Sequence, residues 1–215
     1  GGIKMLKELK EELEKALNQM NPNWKKQNNT DDRLTNFIYY TNSLDKIIEI
    51  SKSKNLDLNY VLHRWYNFKT SNACEKIFEF YGAVREKNTT HHDIDFYISG
   101  EPFDLKLTVY PQALKNDNLL YDLTKVNEKN ELIRWFYLNQ SQQNRKHMKN
   151  RLFIVCNGSD NMKLKSDFLK ICKEVKLWIE PYLDKEKNPH FNTLTIKDND
   201  GNKYSVKSDI ILITD

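Results

Sequence analysis

A mixed α/β domain with a helical N-terminal part is the fold class that the sequence predicts, and three observations predict it. Apolar residues recur at helical spacing through much of residues 5–81. From residue 92 the period changes to two. After a return to helical character, a short apolar run (152–156) and a further helical stretch precede a second period-two segment at the C-terminus. The order is helices, hairpin, helix, strand, helix, hairpin, which describes one mixed α/β unit.

Each element has its own signal. In residues 5–20, Leu6, Leu9, Leu13, Ala16 and Leu17 form an amphipathic stripe, and Asn21-Pro22-Asn23 stops it. The polar stretch KKQNNTDD follows as a loop. Residues 32–54 carry Leu34, Ile38, Leu44, Ile47 and Ile48 and are expected to be helical with a break near Asn42. A separate helix is expected over 57–68, through Tyr60, Leu62, Trp65 and Phe68. Thr70, Ser71 or Asn72 can cap the next one, which runs to about Tyr81 and stops at Gly82. Residues 123–149 and 162–184 read as helices, and LFIVC (152–156) as a buried strand. Asp200-Gly201 marks the turn of a C-terminal hairpin. The expected organisation is a helical region over 1–70 packed on a core over 71–215, together one structural unit.

Composition narrows the function. The chain has 215 residues, 39% hydrophobic and 30% charged, with a net charge of +4. That excess permits a polyanionic partner without requiring one. No apolar run approaches the ~20 residues needed to cross a bilayer, so no membrane partner is expected. The charged N-terminus lacks a signal-peptide core, and Gly1-Gly2 reads as a vector-derived remnant. Cys74, Cys156 and Cys172 are far apart, form no CxxC pair and read as reduced thiols of a cytoplasmic protein. There is no GxxxxGK[ST], HExxH, GxSxG or GxGxxG.

The chemistry concentrates in DIDFYISGEPFDLKLTV (93–109). Ser99-Gly100-Glu101-Pro102 separates two alternating strands. An even-numbered turn centred there sets Ile98 opposite Phe103, Tyr97 opposite Asp104 and Asp95 opposite Lys106. Asp95, Tyr97, Asp104 and Lys106 then share one face, and Phe96, Ile98, Phe103, Leu105 and Leu107 the other, which must meet a core. Two clustered carboxylates repel, and a divalent cation would remove that cost. Oxygen ligands of this kind suit Mg²⁺ or Mn²⁺. Lys106 could hold an attacking water beside the metal, an arrangement suited to phosphodiester hydrolysis.

This hairpin resembles the catalytic core of the PD-(D/E)xK, or restriction-endonuclease-like, nuclease superfamily. The first acid matches Asp95 and the triplet matches Asp104-Leu105-Lys106. The residue before Asp95 is Ile94 in place of proline, and the triplet opens with Asp in place of the commoner Glu. The preceding helix often supplies a Glu, which matches Glu75, with Glu79 a rival one turn on; Asp93 is a lesser rival of Asp95. The resemblance covers roughly residues 72–156. It implies a restriction-endonuclease-like central sheet flanked by helices, with metal held by Asp95, Asp104, the Leu105 backbone carbonyl and Glu75. It further implies a Mg²⁺- or Mn²⁺-dependent endodeoxyribonuclease of restriction or defence type, acting on DNA before RNA. A homodimer, common in the family for cutting both strands, would be its assembly.

Other features are weighed beside it. Arg145, Lys146, Lys149 and Arg151 form a basic cluster that could contact phosphates or simply complement a helix C-terminus. Gln140, Gln142 and Gln143 precede it, and some family members use a Gln on this helix. His91-His92-Asp93 could hold a transition metal, or be a strand edge in solvent. Trp65, Trp135 and Trp178 read as core. The alternatives to a nuclease are a non-catalytic nucleic-acid-binding module on the same scaffold and an unrelated α/β interaction protein whose hairpin carries a solvated charged face.

Overall fold

A computed structural model of the chain describes residues 1–23, 29–88, 90, 93–140 and 148–215. Among these residues, helices lie against an open six-stranded mixed sheet. The N-terminal part comprises α1 (Gly2–Leu17), α2 (Asn29–Leu34), a 3-10 turn (Asn36–Tyr39), α3 (Leu44–Ser53) and α4 (Leu58–Phe80). There follow β1 (Val84–Arg85), β2 (Phe96–Ile98), β3 (Glu101–Val109), α5 (Gln112–Asn116), α6 (Val126–Asn139) and β4 (Arg151–Cys156). The chain ends with α7 (Asn161–Leu164), α8 (Phe168–Leu183), a 3-10 turn (Lys185–Lys187), β5 (Thr193–Lys197) and β6 (Lys203–Ile213). No helix among the described residues is long and apolar enough to cross a membrane.

The strand order is β1-β2-β3-β4-β6-β5. β2 pairs antiparallel with both β1 and β3, β4 is parallel to both β3 and β6, and β5 returns antiparallel on β6. The central strands are covered on both faces, which is why β4 reads as a continuous apolar run. Leu152, Ile154, Ile211 and Ile213 face one core with α1, α3, α4 and α8. Phe153, Val155 and Ile210 face a second core with Leu132, Ile133 and Phe136 of α6.

Several sequence expectations need correction. Two helices were expected on either side of residue 70, but α4 is one helix of 23 residues. Thr70 does not cap. Its hydroxyl donates back to the carbonyls of Tyr66 (2.8 Å) and Asn67 (3.2 Å), so it satisfies itself inside the helix. The start signal lies at Asp57, whose carboxylate accepts from Asn59 N and Tyr60 N. The stretch 32–54 divides into α2, the 3-10 turn and α3, with the break near Asn42 as expected and Ser43 capping α3. The helix of 123–149 ends at Asn139. That of 162–184 divides into α7 and α8, because Asp167 caps a fresh start at Phe168. β1 and α5 carried too few residues to show a period. Trp24 and residues 25–28 of the KKQNNTDD stretch lie outside the described residues, and its second half, expected as loop, begins α2 instead. Trp65 is fully buried, whereas Trp135 and Trp178 are half-buried.

Candidate active site

The site is built on the β2–β3 hairpin. Its turn is Ser99-Gly100, with φ of 48° and 83°, the left-handed pair that closes a two-residue hairpin. Ile98 therefore faces Glu101, Tyr97 faces Pro102 and Phe96 faces Phe103. The expected pairing, Ile98 with Phe103, Tyr97 with Asp104 and Asp95 with Lys106, placed the turn one residue too late. Gly100 lies inside the loop and Pro102 already in the strand. The error moves each partner by two positions, which preserves the faces. Phe96, Ile98, Phe103 and Leu105 are buried and Leu107 is half-buried, all against the core shared with α4 and α8. Asp95 lies just before the first ladder pair, Phe96↔Phe103, and its carboxylate reaches β3 at Leu105, next to Asp104.

Asp95 sits where the chain enters β2. Its Oδ2 accepts from the Leu105 N–H at 2.7 Å, and its own N–H donates to Phe103 O at 2.8 Å. Asp104 N–H donates the other way, to Asn150 O beside β4. Since N–H and C=O directions alternate along a strand, the Leu105 carbonyl points to the side on which Asp95 lies.

Asp104 is only 4% exposed. Arg151 Nε donates to its Oδ2 at 3.1 Å, Lys106 Nζ lies 3.4 Å from the same oxygen, and Lys149 Nζ lies 3.9 Å from Oδ1. Burial raises the Asp104 pKa despite these three cations, and the charge of Asp95 adds to the rise. Lys106 is exposed beside it, on the solvent side of the strand.

Glu75, on α4, meets Asp95 carboxyl to carboxyl. Burial first, then the hydrogen bond to Asp95 and that group's charge, push the Glu75 carboxyl up to about 8; Arg85 opposes the shift. The Glu75 carboxyl therefore resists ionisation beside Asp95. Arg85 of β1 lies 3.6 Å from Glu75 and 3.8 Å from Glu79, and its guanidinium donates to Asn72 Oδ1 at 3.1 Å. Glu79, the rival, is exposed and meets Arg85 instead of the hairpin acids. Asp93, the rival to Asp95, is exposed and pairs with Lys149 at 2.9 Å.

Of the basic cluster, Arg145 and Lys146 lie outside the described residues, as do Gln142, Gln143, His91 and His92. Lys149 and Arg151 turn inward onto the acids, and the Arg151 guanidinium also lies 5.3 Å from the Tyr137 ring centre. Gln140 donates to Thr108 Oγ1 at 3.2 Å. Sequence reasoning missed Arg85, and it placed Arg151 on a surface instead of against Asp104. Only the register Asp104↔Arg151 brings those two together, and no local pattern encodes which strand β4 lies beside.

Among the described residues no three His, Cys, Asp or Glu side chains gather closely enough to hold a metal ion. The donor set implied by the hairpin is different in kind: two carboxylates, Asp95 and Asp104, with the Leu105 carbonyl between them. Those are hard oxygen donors, the kind Mg²⁺ and Mn²⁺ take, and Asp104 is already met by Lys106, Lys149 and Arg151. Comparison of the chain with family models, with curated proteins and with solved structures returned no match.

Proposed function

We propose that this chain is a divalent-metal-dependent nuclease of the PD-(D/E)xK type, hydrolysing phosphodiester bonds of DNA before RNA as a cytoplasmic endodeoxyribonuclease of restriction or defence type. The observation that carries this reading is the placement of Asp104-Leu105-Lys106 on β3 beside Asp95, with Glu75 in contact from the preceding helix. The run α4, β1–β2–β3 antiparallel, α6 and β4 parallel to β3 supports a restriction-endonuclease-like core. On this reading Asp95, Asp104 and the Leu105 carbonyl hold Mg²⁺ or Mn²⁺. The ion supplies charge stabilisation and a more acidic water. Lys106, exposed beside Asp104, holds the attacking water and carries positive charge to the phosphate. Glu75 resists ionisation beside Asp95 when no cation is near and joins the ligand set when one is. A homodimer would let two such sites cut both strands.

One observation favours a second reading, a non-catalytic nucleic-acid-binding module on a nuclease scaffold. Lys106, Lys149 and Arg151 already compensate Asp104, so the carboxylates do not require a metal to coexist. A plasmid-nicking assay in Mg²⁺ beside calorimetric Mn²⁺ titration separates the two. Wild type should nick DNA and bind Mn²⁺. Asp104→Asn should lose both activities, and Lys106→Ala should lose cleavage while keeping Mn²⁺ affinity within about threefold, since it removes no ligand. Wild-type protein that binds no Mn²⁺ would give the answer to the binding module.

A further inference from the structure

The side of α4 next to Glu75 and Glu79 carries a feature that phosphodiester hydrolysis does not use. Lys69, Asn72, Ala73, Lys76, Ile77 and Phe80 line a cavity of about 690 Å³ between α1, α3 and α4, a size typical of small-molecule sites, ~300–1,000 Å³. Part of its wall is apolar, with Leu6 and Leu9 from α1, Ile50 from α3 and Ile77 from α4. Its polar end is Lys69, only 6% exposed. The Lys69 ammonium donates to Asn42 Oδ1 at 2.7 Å and Tyr39 O at 3.2 Å, both neutral acceptors. Among the described residues no carboxylate lies within ion-pairing distance of it. A buried charge without a counter-charge is costly, and burial together with Lys76 holds its pKa below the usual lysine value. Lys46 and Lys76 add positive charge to the lining, and the acids there are Glu8, which is exposed, and Glu12, which is engaged by Lys15 at 2.9 Å and by Leu44 N at 3.4 Å.

From this we infer that the cavity binds a small amphipathic monocarboxylate, with its aliphatic chain between α1, α3 and α4 and its carboxylate on the Lys69 ammonium. The anion supplies the missing counter-charge, and the third ammonium hydrogen supplies a charge-assisted bond to it. The apolar part of the wall accounts for the chain. Asn72 borders the cavity and accepts from Arg85, which pairs with Glu75, so an occupant lies one hydrogen-bonded step from the candidate active site.

The test is calorimetric titration of the full chain with dodecanoate below its micellar range, beside dodecanol and dodecyltrimethylammonium. Dodecanoate should saturate a single site and bind at least about tenfold more tightly than either control. Lys69→Met keeps the length and apolar stem of the side chain and should reduce dodecanoate to the affinity of dodecanol, with dodecanol itself unchanged. Equal binding of acid and alcohol, full affinity in Lys69→Met, or no saturable binding would each overturn the inference. So would a concentration-dependent dimer that shields the exposed Lys76 from acetylation, which would assign the face to a second copy. Wild-type DNA cleavage plays no part in these outcomes, so the nuclease reading stands or falls separately.

Discussion

At the scale of single residues, the candidate site is governed by which carboxyl keeps its proton. Glu75 titrates near 8, against an ordinary value of 4.5. Between those two pH values the folded protein binds a proton that the unfolded chain has released, so the stability this group contributes is full below about pH 4.5 and falls as pH rises towards 8. Glu75→Gln keeps a donor towards Asp95 and cannot ionise. It should therefore flatten the decline in stability between pH 5 and 8, which urea denaturation at a series of pH values will read; an unchanged slope would locate the proton elsewhere. Asp104 behaves in the same sense, since burial outweighs its three cations. Asp104→Asn is accordingly expected to leave the melting temperature within ~4 °C of wild type or to raise it, the equivalent of about 1 kcal/mol for a chain of this size. A loss well beyond that would show Arg151 to depend on the ionised carboxylate. The acids were legible in the sequence, because a period-two run with charge on one face and aromatic and aliphatic residues on the other fixes their side of the sheet whatever the turn. Lys106 was legible with them, but the arginines that meet them were not. Arg85 and Arg151 reach the acids from strands whose neighbours are set by tertiary packing.

At the scale of elements, the decisive junction is the one between α4 and the sheet, since it carries Glu75 to the hairpin. Gly82 ends α4 with φ of 120°, a conformation open to glycine and strained for other residues. A Cβ there would lie 2.6 Å from Leu183 Cδ1 at the end of α8. Gly82→Ala should therefore cost about 2–3 kcal/mol from backbone strain and the displaced Leu183, measured by equilibrium denaturation, and a cost under 1 kcal/mol would show the junction to be compliant. The role of Gly82 as a stop was readable from sequence, and so was the break near Asn42, though not the Ser43 cap that follows it. The length of α4 was not. Thr70, Ser71 and Asn72 resemble a cap in isolation. Burial of Tyr66, Lys69, Thr70 and Ala73 holds the helix through them, so packing overrides the local preference. The hairpin register failed for a related reason. Four turn-forming residues stand in a row at 99–102, and only the pair with left-handed backbone forms the loop.

At the scale of the whole molecule, the N-terminal helices and the sheet bury one another. Leu13 and Ala16 of α1 and Ile47 of α3 share a core with Phe96 of β2, Leu152 of β4 and Ile213 of β6. Position 70, where the sequence divides a helical region from a core, lies inside α4. The two helical layers are also tied across the sheet at Asp209, a mostly buried acid of β6. Lys129 of α6 lies 2.8 Å from its Oδ1, and Trp178 Nε1 of α8 donates to its Oδ2 at 3.0 Å. Removing residues 1–70 would strip α1, α3 and half of α4 from that core and leave apolar surface on α4, α8 and the sheet open to water. Residues 71–215 alone are therefore expected not to fold, despite containing every group of the candidate active site. The full chain should unfold in one cooperative step. Native-state hydrogen exchange read by mass spectrometry tests this directly: amides of α3, the middle of α4 and β4 should share the same highest protection and lose it together as denaturant rises. A lower, separate opening of α1 to α3 while β4 stays protected would divide the chain into two units. Folded, metal-binding protein from residues 71–215 would show the same, and would make the N-terminal helices and their cavity an addition to a self-sufficient core.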